Sequence, residues 1–273
     1  MSIDLDAVND YISLANVFAP GTGDCSVAVW FQVDAVTGFM VIMSDETNSP
    51  SPNTGMLRLA VRGDQAGDPV WWTLQDNLGS VTLELASTTA TLTGTWYHAA
   101  GTRTGATMRI YINGVEEANS GAGPTGSISN DQNSALGVQS TVGSGFLDGR
   151  IEDARYYNRL LSAEEVAILA SGYRGPLGGE AGWWSCDNFR GIAHPDGTTL
   201  TAATHYLRDE SGNGNTGDPI GGVIARASDA PSAFPMWLSA TAFHLTRDKV
   251  LTGALSWVGT VVKAISITSG FTG

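Results

Sequence analysis

Two alternating runs joined by a short turn constrain this chain most. Trp96-Tyr97-His98-Ala99-Ala100-Gly101-Thr102 and Met108-Arg109-Ile110-Tyr111-Ile112 flank Arg103-Thr104-Gly105, and Asn113-Gly114 follows. Alternation sends every second side chain to one face of a strand, and a short Gly-containing loop closes the two into a hairpin. Asn113 and Gly114 both tolerate positive φ, so a second turn leads into a short strand at Val115 to Ala118.

The same reading finds more strands on either side. Cys25 to Phe31 alternates, with Cys25, Val27, Val29 and Phe31 on one face and Ser26, Ala28 and Trp30 on the other. Gly38 to Met43 is continuously apolar, as a strand covered on both faces would be. Met56 to Val61, Val70 to Leu74 and Val81 to Leu85 read as strands, whereas Asp45 to Gly55 is a loop by composition. One helix stands out: Ser162 caps, Glu165 completes a capping box, Ala163 to Ala170 contains good helix formers, and Gly172 ends it. The 34 glycines and only 15% charged residues agree with many strands and turns. These elements predict an all-β sandwich of the jelly-roll kind, with one short helix and a C-terminal extension.

Charge narrows the partners. A net charge of −13 repels a phosphate backbone, which excludes nucleic acid as the expected ligand. Met1 to Asp6 carries neither the basic nor the apolar region of an export signal, so the expectation is a protein that stays where it is made or leaves by lysis or assembly. No run reaches the roughly 18 apolar residues of a membrane span. Val250 to Val262 is too short, with Arg247, Asp248 and Lys249 before it and Lys263 after it. Cys25 and Cys186 read as two small buried thiols, although one bridge stays open.

Several motifs carry a family resemblance. Leu5-Asp6-Ala7-Val8-Asn9-Asp10-Tyr11-Ile12 resembles the "FDGxDDYV" strand of bacterial and viral laminin-G-like domains, which are concanavalin A-like sandwiches. Trp96-Tyr97-His98-Ala99-Ala100 with Arg109 to Gly114 resembles their "WxHVA…LYVNG" hairpin, with Ala99 where a β-branched residue is usual. Phe146 to Asn158 is similar to "FxGxIDDVRIYN", and Leu161 to Val166 to the "LSxxEI" helix. The family's opening pieces stand late here, as Gly182-Trp183-Trp184-Ser185-Cys186-Asp187 and Asp209 to Gly217. The resemblance thus implies a sandwich over 1–226, its main motifs in 1–170 and returning strands in 171–226, in a permuted order. The alternative is a strand donated to a neighbouring subunit. Residues 227–273 remain as an apolar tail for assembly or docking.

Catalysis is not expected. Glu116-Glu117, Glu152-Asp153 and Glu164-Glu165 are adjacent pairs, and adjacent residues of a strand point to opposite faces and cannot share one substrate. His98, His194, His205 and His244 are scattered without metal-ligand spacing. Asp209, Ser211, Asn213 and Asn215 place oxygens at alternate positions, and Gly212 and Gly214 permit a tight curl, so calcium is the candidate cofactor. An Asx-rich turn held by its own side chains is the other reading. Glycan binding is the usual expectation for this fold. Of Trp71, Trp72, Trp183 and Trp184, one ring of each pair must point inward, and Trp72 and Trp184 are taken as the ligand-binding members.

The functional expectation is a non-enzymatic virion structural protein of a tailed bacteriophage, as a capsid decoration or a tail-associated protein. It would sit on the head or tail surface and bind other virion proteins, or copies of itself, through residues 234–273. Its surface module would bind host-cell glycans. The alternatives are a free, extracellular carbohydrate-binding lectin-type module of bacterial origin and an accessory domain of a glycosidase.

Overall fold

Hydrophobic alternation and glycine-bearing turns build two antiparallel sheets. The structure is a computed structural model and describes residues 1–46, 55–77, 82–128, 134–140, 143–187, 189, 195–202 and 204–231. Most of the loop expected at Asp45 to Gly55, His194, His244 and the tail segment 234–273 lie outside the described residues.

In chain order the first strands are β1 (Ser2–Asp6), β2 (Tyr11–Leu14), β3 (Cys25–Val33) and β4 (Phe39–Asp45). Then come β5 (Met56–Arg62), β6 (Pro69–Gln75), β7 (Thr82–Ala90), β8 (Trp96–Thr104), β9 (Thr107–Ile112) and β10 (Val115–Ala122). Short β11 (Ala135–Leu136) and long β12 (Asp148–Tyr157) precede the helix α1 (Ala163–Ala170). After it run β13 (Glu180–Trp184), β14 (Thr198–Thr199), β15 (Gly217–Ile220) and β16 (Ile224–Arg226).

One sheet has the order β10-β9-β8-β3-β12-β1-β16-β14, with β13 added against β12. The other has the order β15-β2-β11-β4-β5-β6-β7. Residues after the helix therefore add strands to both sheets: β15 lies against β2, β16 against β1, and β13 against the second half of β12. The fold is an all-β, concanavalin A-like jelly roll with one short helix.

Between the sheets lies the main core, to which β3 gives Cys25, Val27, Val29 and Phe31, and β6 gives Val70, Trp72 and Leu74. A second apolar cluster, with Ala28, Ala100, Tyr111, Tyr157, Leu161, Val166 and Leu169, lies beneath α1. That helix explains why β3 is buried along its whole length, on both faces. Trp30, on the outer side, is covered as well and donates its indole N–H to the Leu169 carbonyl at 3.3 Å. The helix starts as the sequence predicts: Ser162 Oγ accepts from the Glu165 N–H, and Glu165 Oε2 accepts from the Ser162 N–H at 2.9 Å. Arg159 then holds Glu165 at 2.8 and 2.9 Å, and Gly172 follows the C-cap with φ +88°.

Trp72 bridges the sheets. Its ring reaches β8, where Gly101 meets it, and its Nε1–H donates to the Thr102 carbonyl at 3.3 Å. A Cβ on Gly101 would fall inside the Trp72 ring's contact distance, so the glycine is there for close approach. Gly101→Ala is expected to cost about 2–3 kcal/mol by overpacking. The double variant Gly101→Ala/Trp72→Phe should cost less than the two singles summed, because both act at one contact. Urea unfolding of the three variants measures this, and strict additivity would refute the contact.

Candidate functional site

The two tryptophans expected to bind ligand do not reach solvent. Trp72 and Trp184 are completely buried, so the assignment of either ring to a ligand is corrected. Trp72 shares its face of β6 with Val70 and Leu74, which strict alternation directs into the core. Trp184 packs edge-on against Phe18 at 5.9 Å and donates its indole N–H to the Asn215 carbonyl at 2.7 Å. Trp183, on the opposite side, is also covered. Its N–H donates to Asp153 Oδ1 at 2.7 Å, and the Arg155 guanidinium lies 4.3 Å from its ring centre.

The 209–215 turn uses its polar groups on the protein itself. Asp209 Oδ1 accepts from the backbone N–H of Trp183 at 3.0 Å and of Ser211 at 2.9 Å, and Oδ2 accepts from Asn215 N–H at 2.9 Å. Asn213 Nδ2 donates to the carbonyls of Glu180 and Ala181 at 3.1 and 3.2 Å, and Asn215 Nδ2 to Ala181 at 2.8 Å. Gly212 and Gly214, at φ +85° and +78°, supply the curl. Asp209 is the one carboxylate of the proposed set, and three N–H groups already engage it, so the set lacks the several free carboxylates of a strong calcium site. The donor set does not fit the ion. It fits a clasp that pins β13 to the returning chain. Among the described residues no group of three or more His, Cys, Asp or Glu is placed to hold a metal ion.

Other reactive side chains are withdrawn. Burial, reinforced by Arg174 and Arg155, pushes the pKa of His98 down to about 3, so its imidazole is neutral. Burial raises the Cys25 thiol to about 12 and raises Cys186 too; both cysteines are free and buried.

The outer face of the seven-stranded sheet is built differently. Cross-strand register aligns Ser44, Arg58, Thr73 and Glu84 in one row, and Val41, Ala60, Trp71 and Ala86 in the next. Phe39 stands opposite Arg62. Arg58 bonds Glu46 at 2.9 Å and Glu84 at 3.3 Å, and its guanidinium lies 4.8 Å from the Phe39 ring centre. Arg62 grips Asp64 with two bonds of 2.8 Å and lies 4.4 Å from the Trp71 ring centre. The Arg62 hydrogen bonds hold the Asp64 carboxyl down to about 2, whereas burial raises Glu46 against the pull of Arg58. On the floor of this face Trp71 Nε1 and Thr73 Oγ1 are buried without a hydrogen-bond partner.

This ladder escaped the sequence reading. The signal was Arg58-x-Ala60-x-Arg62, alternating against Leu57, Leu59 and Val61 on one strand. On the other sheet, a concavity of about 460 Å³ opens between the β8–β9 hairpin and the start of α1, with Thr102, Thr104, Thr107, Tyr111 and Leu160 in its walls.

Two sheets, one helix-covered and one with its polar ladder outward, define a jelly-roll sandwich domain. Residues 6–167, over half of the chain, match the laminin G-type model of the concanavalin A-like lectin/glucanases superfamily, and the chain belongs to that family. A Bacteroides ovatus protein to which carbohydrate binding is provisionally ascribed shares the fold, with TM-score 0.61 and 19% identity over 85% of this chain and 62% of its own. The chain thus spans less than two thirds of that protein's length. A native heptameric SAP-like pentraxin from Limulus polyphemus is similar at TM-score 0.49 and 19% identity, over 62% of this chain and 81% of its own. A CBM40 domain of a Ruminococcus gnavus IT-sialidase, solved with α2,3-sialyllactose, gives 0.47 and 12%, over 62% and 98%. No curated protein matches the sequence.

Removing the Asp209 carboxylate tests the clasp. Asp209→Ala leaves three N–H groups without their acceptor and is expected to cost about 2–3 kcal/mol of stability. Adding calcium to chelated native protein should leave the melting temperature unchanged; a rise of several degrees would restore the ion-site reading.

Proposed function

We propose that this chain is a non-catalytic glycan-binding module whose contact surface is the outer face of β5, β6 and β7. The observation that carries this reading is the preorganised row of arginines, aromatic rings and carboxylates, in which half-buried Trp71 and the exposed carboxylates of Glu84 and Asp64 face outward. A sugar offers hydroxyls that both donate and accept, which is what such a row can satisfy. Membership of a lectin/glucanase superfamily and the fold shared with the Bacteroides protein support it. Glu46, Glu84 and Asp64 are each held by an arginine, an arrangement that favours recognition over proton transfer.

Binding to a broad panel of oligosaccharides, measured by calorimetry on the best ligand, tests this directly. Trp71→Ala and Glu84→Ala should each weaken binding at least tenfold while the protein keeps its cooperative unfolding. No bound glycan, or full affinity in both variants, would refute the site.

We further propose that the module is displayed on the virion of a tailed bacteriophage, on head or tail. Support comes from the order of Trp183-Trp184, the Ser211 to Gly217 turn and the Pro-containing segment from Ala230 to Pro235, which resembles minor structural proteins of such phages. The free lectin-type module is the competing reading. Mass spectrometry of purified particles from the source decides between them: presence at a fixed copy number supports display, and absence supports the free module.

A further inference from the structure

Resting on the glycan-binding reading, we infer that this face selects neutral glycans and rejects acidic ones, despite its two arginines. Arginine beside tryptophan on a binding face suggests a carboxylated sugar, because the guanidinium fork matches a carboxylate. Here the side-on fork of Arg62 and both terminal nitrogens of Arg58 are already engaged. The Nε and Nη2 atoms of Arg62 both hold Asp64, and the two terminal nitrogens of Arg58 hold Glu46 and Glu84. Arg58 Nε, which no acceptor meets, is buried.

Depth adds to this. The Arg58 and Arg62 side chains are 11% and 18% exposed, whereas Glu84 and Asp64 are 37% and 40% exposed. The arginines lie flat against Phe39 and Trp71, so the charges that meet an arriving ligand first are carboxylates. Two guanidinium groups face three carboxylates, which leaves the patch net negative on a chain of net charge −13. An approaching sialic or uronic acid would meet like charge and find the side-on fork of Arg62 and both terminal nitrogens of Arg58 already taken. A neutral sugar would find the opposite: the exposed carboxylates of Glu84 and Asp64 accept from its hydroxyls, and the half-buried Trp71 ring lies beside them.

The experiment compares the native protein with Asp64→Asn, using neutral oligosaccharides and the same chains carrying a terminal sialic or uronic acid. Native protein should bind the neutral form at least tenfold more tightly. Asp64→Asn, which frees the Arg62 fork at an exposed turn, should gain several-fold for the acidic form. Equal or tighter native binding of the acidic form would overturn the selectivity and leave glycan binding standing. Loss of all binding to both forms would overturn the glycan reading itself.

Discussion

Strand β12 holds the early and late parts of the chain together, and it does so through a bulge. Its first half pairs with β1 and its second with β13, while β3 runs along the other side. The register shifts between Glu152 and Arg155, and Asp153 takes φ +51° there. Asp153 then sits where it accepts from Trp183 Nε1 and from buried Arg155, which donates in turn to the Gly175 carbonyl at 2.8 Å. Both charges of this pair are withdrawn from water, with side-chain exposures of 0% and 2%. A pair so deep contributes little net stability against its desolvation, and Glu180 beside Arg155 and Arg174 beside Asp153, each at 3.6 Å, complete a four-charge network. The bulge therefore specifies where β13 docks more than it adds to overall stability.

From that arrangement the two sheets acquire different outer surfaces. The chain leaving β12 folds back as α1 and the segment to Gly179, and covers the outside of the nine-stranded sheet with Leu161, Val166 and Leu169. The outer side of the seven-stranded sheet carries instead the row of Arg58, Arg62, Trp71 and their carboxylates. A ligand face needs polar groups fixed before the ligand arrives, and ion pairs stacked on rings fix them without a metal. The asymmetry of the sandwich thus leads to the proposed function.

The elements visible in the sequence are those specified by near neighbours. Alternation fixed the β8–β9 hairpin, and Ser162 with Glu165 fixed the start of α1, because both depend on residues a few positions apart. Trp72 was legible too, since Val70 and Leu74 share its phase, yet the choice of outward ring went against that alternation. Trp183 was not legible: it is on the outer side of its strand, and a bulge 30 residues earlier covers it. The 209–215 turn gave equal local support to an ion site and an Asx turn. What separates them is the Trp183 amide and the Ala181 carbonyl, partners 26 and 34 residues away from Asp209 and Asn215. Of the arginine ladder, one strand shows only Arg58-x-Ala60-x-Arg62; the partners Glu46, Glu84 and Trp71 that complete it come from elsewhere in the chain.

Hydrogen exchange with and without a saturating neutral oligosaccharide tests the location of the ligand face most directly. The account predicts slowed exchange in Met56–Arg62, Pro69–Gln75 and Thr82–Ala90, with no change around Thr102 to Arg109 or at the start of α1. Protection confined to the concavity beside α1, with β5 to β7 unaffected, would contradict it.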